Sequence, residues 1–339
     1  MNASSRTVAG GSTAPRRSRA RIVAAAGALV VLAAVMLPDL LFGLGGVVPF
    51  VQLVAFRPQI LAVAAALAVV LLAAAVRRRY ARPFAAGLLA IVLVAGWMVL
   101  PRAVADPSPA AAGRPLTVLT LNTYEGDADV AAVAAVIRSE RPDLVSLVEA
   151  GAAYHSRLAP LVEPLGYRLT STTGPERADV WGITVAVTGR LGAVGTRVDT
   201  TTPFPMIEVS GGGLGALRFV GFHSMAPTEP HELPEWTRDL EQVKRWCSGS
   251  TPAVVTGDFN ATLDHSLLRS VIAGCDDATA ARGQGLVATW PAWVPRWLGA
   301  QIDHVFVTEG IGVVSAAVRD VPGTDHRAIL TRLVLPAAG

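Results

Sequence analysis

Long apolar runs fill the first third of the chain and predict helices that cross a membrane. The uncharged runs lie at 22–37, 60–76 and 84–100. A spanning helix needs about 20 mostly apolar residues to cross the hydrocarbon core of a bilayer. The first run reaches that length only if it extends past Asp39 to about Phe42, which would put Asp39 near an interface. We therefore predict three spans, near 22–42, 58–76 and 84–103.

A further apolar stretch, 40–56, does not fit a spanning helix. It is interrupted by glycines at 43, 45 and 46 and by Pro49, and both residue types disfavour a helix interior. We predict an interfacial loop here, not a fourth span.

The arginines predict how the three spans are oriented. With three spans, the N-terminal tail and the 77–82 loop share one side and hold nine arginines, against Arg57 and Arg102 on the other side. Positive charge accumulates on the cytoplasmic side of membrane proteins. We therefore predict a multi-pass protein of the cell membrane, with a cytoplasmic basic tail at 1–21, a unit of three transmembrane helices at 22–104, and the rest of the chain outside the cytoplasm.

After the membrane unit, the pattern changes to short apolar runs that alternate with helical segments. Residues 105–115 are rich in proline and small residues, which is typical of a linker, and a globular domain is predicted at 116–335. Strands are predicted at 116–121, 143–148, 183–187, 206–209, 217–222, 253–256, 302–307, 313–318 and 328–334. Helices are predicted at 129–139, 235–247 and 266–273. This order indicates an α/β domain with mixed sheets covered by helices.

Polar side chains stand at the ends of several predicted strands. Taken singly each is a weak signal, because an asparagine after a strand usually starts a turn and a lone histidine is usually structural. The ordered set is more informative. Its members are Asn122, Glu149, His223, Asp258, Asn260, Asp303, Asp325 and His326.

These residue types fit the hydrolysis of a phosphoester. A hard cation such as Mg²⁺ prefers carboxylate oxygens and offsets the charge of the phosphate, and Glu149 and Asp325 are ligands of that kind. A histidine with a carboxylate behind it can accept the proton of the attacking water. Asp303 and His326 would form that pair. Amide donors stabilise developing charge without adding negative charge.

The motifs that carry these residues resemble the endonuclease/exonuclease/phosphatase superfamily, which includes DNase-I-like nucleases, neutral sphingomyelinases and inositol-polyphosphate 5-phosphatases. The resemblance covers about 114–335 and rests on the stretches 257–260, 302–306 and 324–326. The stretch 285–291 is similar to bacterial members, so a bacterial, membrane-anchored member is expected. The resemblance implies a DNase-I-like four-layer α/β sandwich with two central mixed β-sheets, preceded by the helical membrane unit.

The resemblance also implies a role for each site residue. Glu149 is expected to be the main ligand of Mg²⁺ or Mn²⁺, with Asp325 and Asn122 also at the metal. Asn122 and Asn260 are expected to bind the substrate phosphate. The expected catalytic set is His223, Asp258, Asn260, Asp303 and His326. Related proteins pair the first histidine with a carboxylate, and here Glu176 and Asp179 both remain candidates for that partner.

Charge bears on the substrate. The formal net charge is +3, but residues 1–105 carry +10 and residues 106–339 carry −7. A nuclease benefits from a basic surface that follows the phosphates, so a phospholipid or small phosphoester is favoured over nucleic acid. The function predicted is a membrane-anchored, divalent-metal-dependent phosphodiesterase or phosphatase acting outside the cytoplasm. The alternatives are an extracytoplasmic endonuclease or exonuclease on DNA or RNA, and a membrane-anchored binding module without catalysis.

The other histidines, the tryptophans and the cysteines leave questions for the structure. His304 is expected to be structural, because its side chain points away from the face that Asp303 occupies. The histidines predicted to be solvated are His155, His231 and His265. The loop with Trp290, Trp293 and Trp297 is either a lid on the core or a loop that touches lipid or a hydrophobic substrate. Cys247 and Cys275, predicted on consecutive helices, are free to form a disulfide outside the cytoplasm or to remain unpaired.

Overall fold

The membrane unit consists of apolar helices that precede the first strand. The computed structural model describes residues 14–41, 43–107 and 113–336. The first helices in this part of the chain are α1 (Ala14–Met36), α2 (Phe50–Val54), α3 (Arg57–Arg77) and α4 (Arg82–Val99). Segments long and apolar enough to cross a membrane run over Arg19–Met36, Arg57–Arg77 and Arg79–Ala103. The three predicted spans are therefore confirmed as helices of spanning length.

The predicted end of the first span is wrong. α1 ends at Met36 rather than near Phe42, because Pro38 follows and disfavours helical backbone at the residue before it. The helix instead extends towards the N-terminus and includes residues 14–21, which the sequence assigned to the basic tail. Residues 1–13 of that tail, Phe42 and linker residues 108–112 lie outside the described residues.

As predicted, the stretch between the first two spans does not form a spanning helix. It does more than connect them at the surface, however. We call residues 38–56 the inter-span segment. It contains two short 3₁₀ turns, Pro38–Leu40 and Leu44–Gly46, and then α2. Val51 of α2 is fully buried and belongs to the same apolar cluster as Trp236 and Phe259. The segment thus contributes to the hydrophobic core of the globular domain.

The globular domain begins at β1, two residues before the predicted start. The strands described are β1 (Arg114–Asn122), β2 (Leu144–Val148), β3 (Tyr167–Ser171), β4 (Ile183–Thr188), β5 (Gly195–Asp199), β6 (Met206–Ser210), β7 (Arg218–His223), β8 (Ala253–Asp258), β9 (Cys275–Asp277), β10 (Asp303–Thr308), β11 (Gly312–Asp320) and β12 (Arg327–Leu335). The helices described are α5 (Val130–Glu140), α6 (Ala152–Val162), α7 (Leu233–Gln242), α8 (Lys244–Cys247) and α9 (Ser266–Val271).

In the described part of the chain these strands form two six-stranded mixed sheets. The first has the order β11-β12-β1-β2-β4-β3 and the second β5-β6-β7-β8-β10-β9. The parallel pairs lie inside the sheets, β1 with β2 and β7 with β8, and the other neighbours are antiparallel. The facing surfaces of the sheets share one apolar cluster that includes Val118, Val185, Phe219 and Val305.

Helices cover the outer faces of both sheets. Val133 of α5 and Leu158 of α6 belong to the apolar cluster of the first sheet, and Leu240 of α7 and Leu268 of α9 to that of the second. The domain is therefore a four-layer α/β sandwich with two central mixed sheets, which confirms the predicted fold class.

The structure also contains elements that the sequence pattern did not indicate. They are α6, β3, β5 and β9. The predicted helix at 235–247 is divided at Val243 into α7 and α8. Cys275 lies on β9 and not on a helix, so that placement was wrong. It forms a disulfide with Cys247, with 5.2 Å between the two Cα atoms.

Candidate active site

The strand ends bring the predicted polar residues to one edge of the sandwich. In the first sheet Asn122 ends β1, and Glu149 follows the adjacent parallel strand β2. In the second sheet His223 lies beside Asp258, and Asp258 lies opposite Asp303 in the antiparallel pair β8–β10. Because the carboxyl ends of parallel strands meet at one edge of a sheet, both sheets present these side chains to a common cleft.

Asn122 connects the two sheets across this cleft. Its side-chain nitrogen donates to Glu149 Oε1 at 2.9 Å and to Asp258 Oδ2 at 3.0 Å. The residue is 1% exposed, and its carbonyl accepts from the Thr324 hydroxyl at 2.8 Å. These bonds fix the distance between the Glu149 carboxylate, which is expected to bind the metal, and the Asp258 carboxylate, which is expected to take part in catalysis.

Asp303 and His326 form the predicted pair. His326 Nδ1 lies 2.8 Å from Asp303 Oδ2, while its Nε2 lies 3.7 Å from Asp258 Oδ2 and 3.8 Å from Asp325 Oδ1. Burial alone would lower the pKa of His326, but the three carboxylates outweigh burial and raise it to about 10. Burial, followed by the charge of Asp303, raises the pKa of Asp258 to about 7. The cleft is thus rich in negative charge that a cation would offset.

His223 lacks the carboxylate partner that the resemblance implied. Its Nε2 lies 3.8 Å from Glu149 Oε1 and 4.0 Å from Asp258 Oδ2, and its buried Nδ1 has no hydrogen-bond partner among the described residues. Phe204 covers the ring, with 4.2 Å between the ring centroids. Burial, followed by the charge on His326, lowers the pKa of His223 to about 3, so this histidine stays neutral.

Neither of the two candidate partners contacts His223. Glu176 is exposed. Asp179 accepts from the Tyr154 backbone N–H at 3.1 Å and lies 3.6 Å from the Arg157 guanidinium. Both candidates are therefore wrong, and Asp179 instead organises the start of α6.

Asn260 joins two loops at the rim of the cleft. Its backbone N–H donates to Asp258 Oδ1 at 2.8 Å, and its side-chain nitrogen donates to the carbonyl of Ser224 at 3.0 Å. The Ser224 hydroxyl in turn donates to the carbonyl of Phe259. The loops that follow β7 and β8 are thereby tied together beside His223 and Asp258.

Backbone strain is concentrated at this site. The described non-glycine residues with positive φ are Tyr124, Glu125, Arg141, Glu149 and Asn260. All except Arg141, which ends α5, belong to the cleft or its adjoining turn. Such conformations cost about 1–3 kcal/mol each and persist where the surroundings over-determine them, often at functional sites.

The donor set fits a hard divalent cation. Asp303 Oδ1 and Asp325 Oδ1 are buried without a hydrogen-bond partner in the described part of the chain, and a bound cation would satisfy such oxygens. Glu149 Oε2 accepts from the Glu125 backbone N–H at 2.7 Å, which orients the carboxylate. Asp258, Asp303 and His326 also offer ligand atoms within 4.8 Å of one another, a grouping that the sequence assigned to catalysis and not to the metal.

Trp290 is a site residue that sequence reasoning missed. Its indole N–H donates to Asp325 Oδ2 at 2.9 Å. The sequence showed it only as part of an apolar loop, and the donor role becomes visible when the 285–291 stretch is folded against the residues just before β12. The remaining tryptophans of the loop do not cover the core, because Trp293 is 72% and Trp297 70% exposed.

Two histidines outside the cleft are both buried, although only one was predicted to be structural. His304 lies 2.7 Å from Asp277 Oδ2 through Nδ1 and 2.9 Å from the Ala261 carbonyl through Nε2, so its structural assignment is confirmed. The prediction that His265 is solvated is wrong. It is 3% exposed, and its Nε2 lies 2.8 Å from the carbonyl of Val51 in the inter-span segment.

Comparison with known proteins identifies the family. Residues 119–326, which include every residue of the cleft, match the Endonuclease/Exonuclease/phosphatase family. The chain belongs to this family. Members of this family are metal-dependent phosphoester hydrolases, so the chain is an enzyme of that kind, as the sequence predicted. Among curated protein sequences, none matches the chain.

Several solved structures are similar to the globular domain. An endonuclease/exonuclease/phosphatase from Beutenbergia cavernae is 21% identical, with a TM-score of 0.49, over 66% of this chain and 72% of that one. Danio rerio TDP2 complexed with a single-strand DNA product is 15% identical, with a TM-score of 0.50, over 65% and 98%. Truncated Caenorhabditis elegans TDP2 is 16% identical, with the same TM-score and coverage. At these identities the likeness to the two TDP2 structures concerns the fold of the globular domain alone.

Proposed function

We propose that this protein is a multi-pass, membrane-anchored phosphoester hydrolase whose catalytic domain acts outside the cytoplasm, on a phospholipid or another small phosphoester. The observation that carries the hydrolase assignment is the buried Asp303–His326 pair, which lies beside Asp258 and the Asn122–Glu149 contact. A proton acceptor and a group of carboxylates thus share one cleft.

The residues of the cleft divide the chemistry between them. Glu149 and Asp325, with Asn122 beside them, would hold Mg²⁺ or Mn²⁺, which supplies Lewis-acid polarisation of the phosphate and offsets the carboxylate charge. His326 would accept the proton of the attacking water at Nε2 when a bound cation offsets the carboxylates that raise its pKa, and Asp303 fixes the ring through Nδ1. Neutral His223 and the Asn122 amide are available as uncharged hydrogen-bonding groups for the phosphate oxygens.

The arrangement of charges and helix ends supports the outward orientation. The amino end of α3 contacts the globular domain through Arg57, and the turn after α4 contacts it through Arg102. The carboxyl end of α1 lies at the same end of the membrane unit, because the Met36 carbonyl accepts a hydrogen bond from Arg57. The arginine-rich 77–82 connection lies at the opposite ends of α3 and α4, as expected for the cytoplasmic side. The Cys247–Cys275 disulfide also favours an oxidising compartment.

The surface next to α3 supports a lipid substrate. Gln59, in the first turn of α3, donates to the carbonyls of Trp297 and Gly299. The exposed Trp293 and Trp297 side chains therefore lie on a loop attached to the start of a spanning helix, and tryptophan is enriched at membrane interfaces. The same loop begins with Trp290, which contacts Asp325. The charge of −7 over residues 106–339 disfavours tight binding of nucleic acid.

The test is a substrate comparison with the full chain reconstituted in vesicles. Wild type and His326→Ala are assayed with Mg²⁺ or with a chelator, on sphingomyelin or phosphatidylinositide vesicles, on plasmid DNA and on bis-p-nitrophenyl phosphate. We expect metal-dependent turnover of lipid and of the chromogenic diester that is lost in His326→Ala. DNA nicking at a comparable rate would favour the extracytoplasmic nuclease instead.

Turnover of none of these substrates would favour the binding module without catalysis.

The preference for lipid is tested separately with variants of the tryptophan loop. Trp293→Ser with Trp297→Ser should lower lipid turnover and leave the chromogenic diester unaffected. Leu165→Ser, which changes an exposed apolar residue next to β3, should alter neither. Equal behaviour of the two variants on lipid would remove the lipid-contact role of the loop.

A further inference from the structure

The inter-span segment and the start of α3 contact the loops that form the rim of the cleft. Gln52 donates to the carbonyls of Pro227 and Thr228 in the loop that follows β7. The Val51 carbonyl accepts from His265 in the loop that follows β8. Both loops lead directly from catalytic residues, His223 in one and Asp258 in the other. A chain that merely tethered the domain would need none of these contacts, because the 105–115 connection already joins the two units.

Arg57 makes the most extensive of the contacts. This first residue of α3 is fully buried, and its Nε donates to the carbonyl of Met36 at the end of α1. Its Nη1 donates to the carboxylate of Asp264 at 2.9 Å and to the Asp264 carbonyl at 3.2 Å. One side chain thus joins two spanning helices to the loop after β8.

Asp264 is held from a second side by the 3₁₀ turn Leu100–Ala103, which follows α4. Arg102 forms a two-pronged ion pair with it, at 2.6 and 3.0 Å. Asp264 is 1% exposed, and ion pairs in such surroundings are screened far less than surface pairs. Arg269 completes the group by pairing with Asp39 at 2.8 Å. Three arginines and two aspartates therefore link the membrane unit to the catalytic loop.

The loop between these contacts and the reaction centre is short. Only five residues separate Asp258 from Asp264, and Asn260 and Phe259 within them bond to Ser224 of the other loop. Asn260 also has a positive φ of 44°, a conformation that the surrounding contacts must maintain. Fixing both ends of this stretch restricts where the Asp258 carboxylate and the Asn260 backbone can lie.

We propose that Gln52 and Arg57 clamp the catalytic loops, and that Arg57, acting through Asp264, is a positioning residue for Asp258 and Asn260. The membrane unit is then part of the catalytic architecture as well as an anchor. A displacement of about 1 Å far from the reacting atoms can cost about a hundredfold in rate, so loss of the clamp should be visible in kcat.

The main test compares Arg57→Gln with the matched control Arg82→Gln, in the full chain reconstituted in vesicles. Arg82 also bonds a helix carbonyl, that of Ala75, but at the end of the membrane unit away from the catalytic domain. Arg57→Gln should fold, because two arginines remain for two aspartates. Kinetics are measured on the water-soluble bis-p-nitrophenyl phosphate, and hydrogen–deuterium exchange is followed over residues 259–265.

We expect Arg57→Gln to lower kcat about tenfold or more with little change in KM, and to increase amide exchange in 259–265. Arg82→Gln should match wild type in both. A merely structural role would change the folded amount but not kcat per folded molecule. Wild-type kcat in folded Arg57→Gln would overturn the proposal, whatever the exchange data show.

Two milder variants decide the matter if Arg57→Gln does not fold. Gln52→Ala removes only the bonds to the Pro227 and Thr228 carbonyls, and Arg57→Lys keeps the charge but not the branched contacts. Each should lower kcat less than tenfold while KM stays unchanged, and wild-type kcat in both would refute the clamp.

The kinetic measurement rests on the proposed hydrolase activity, whereas the hydrogen–deuterium exchange measurement does not. An inactive wild type would therefore count against the proposed function, and exchange in 259–265 would still decide whether the clamp exists.

Discussion

Strand β10 carries an aspartate–histidine pair on each of its two faces. On the cleft face, Asp303 pairs with His326 at 2.8 Å. On the opposite face, the next residue, His304, pairs with Asp277 at 2.7 Å. Both pairs are almost fully buried and both use Nδ1. By residue type and distance they are equivalent.

The second ring nitrogen makes the two pairs different. His304 Nε2 donates to the carbonyl of Ala261 at 2.9 Å, which leaves that histidine with both nitrogens engaged. His326 Nε2 instead faces Asp258 and Asp325 at 3.7 and 3.8 Å and makes no hydrogen bond with another described residue. An aspartate–histidine pair is therefore structural when the outer nitrogen is occupied, and is available for proton transfer when that nitrogen faces a cleft.

The strongest test of this difference is His326→Ala. Removing the proton acceptor should lower kcat by about 10²–10⁴-fold. Because His326 is buried and its loss leaves the Asp303 carboxylate buried without its partner, we also expect a loss of thermal stability, so kcat is compared per folded molecule. The measurement is turnover of bis-p-nitrophenyl phosphate together with a thermal melt. His231→Ala, at an exposed histidine, serves as the control. Retained turnover would mean that His326 is not the base.

Asp303→Asn should have a smaller effect on the same reaction. The asparagine amide can turn towards Nδ1 and favour the wrong tautomer of His326, so we expect kcat to fall, though by less than in His326→Ala. The pH profile of kcat should also move to lower pH, since the Asp303 carboxylate no longer raises the pKa of His326. An unchanged profile would show that Asp303 does not set the protonation of this histidine.

Asp277→Asn tests the structural pair, Asp277 with His304. Loss of the charge opposite His304 should lower the free energy of unfolding by about 2–3 kcal/mol, while kcat per folded molecule stays close to that of wild type. Chemical or thermal unfolding of the purified protein checks this. Asp276→Asn, at the more exposed neighbour on β9, should be near neutral. If folded Asp277→Asn lost its activity, the conclusion that one face of β10 is structural and the other catalytic would be wrong.

The pH dependence of that stability difference is the finest test. Burial alone would raise the pKa of Asp277, but its hydrogen bond to His304 has the larger effect and lowers that pKa. Burial alone would lower the pKa of His304, but the bond to Asp277 has the larger effect and raises that pKa. The stabilisation is therefore complete between the two unfolded-state values, about pH 4 to 6.5. It should be lost as pH falls through the folded pKa of Asp277 and as pH rises through that of His304. A difference that does not vary with pH would exclude an ion pair.

Much of the fold and most of the cleft follow from local patterns in the sequence. Apolar runs that end in a polar residue mark β1, β2, β7 and β8, and the carboxyl ends of these strands place Asn122, Glu149, His223 and Asp258 together. The spans are similarly local, because length and hydrophobicity define them. The end of α1 was misjudged because the requirement for length was given more weight than Pro38.

The remaining features depend on contacts between distant parts of the chain. His265 is buried because Val51, 214 residues earlier, accepts its hydrogen bond, and no local pattern reveals that partner. Trp290 and Asp325 are 35 residues apart. The strand β5 escapes prediction for another reason, since it is mostly exposed and so lacks apolar alternation. That neither Glu176 nor Asp179 contacts His223 likewise depends on where the 176–179 turn folds.

The left-handed residues at the cleft have a consequence for anyone who engineers this protein. Glycine adopts positive φ without a steric penalty, so replacing Tyr124, Glu125 or Asn260 with glycine would relieve backbone strain, against the entropy that glycine adds to the unfolded chain. A search for thermostable variants would therefore be drawn to the turns that orient the Glu149 and Asp258 carboxylates. Selection for heat resistance alone would enrich such changes, and the resulting proteins would survive heating while turning over substrate poorly.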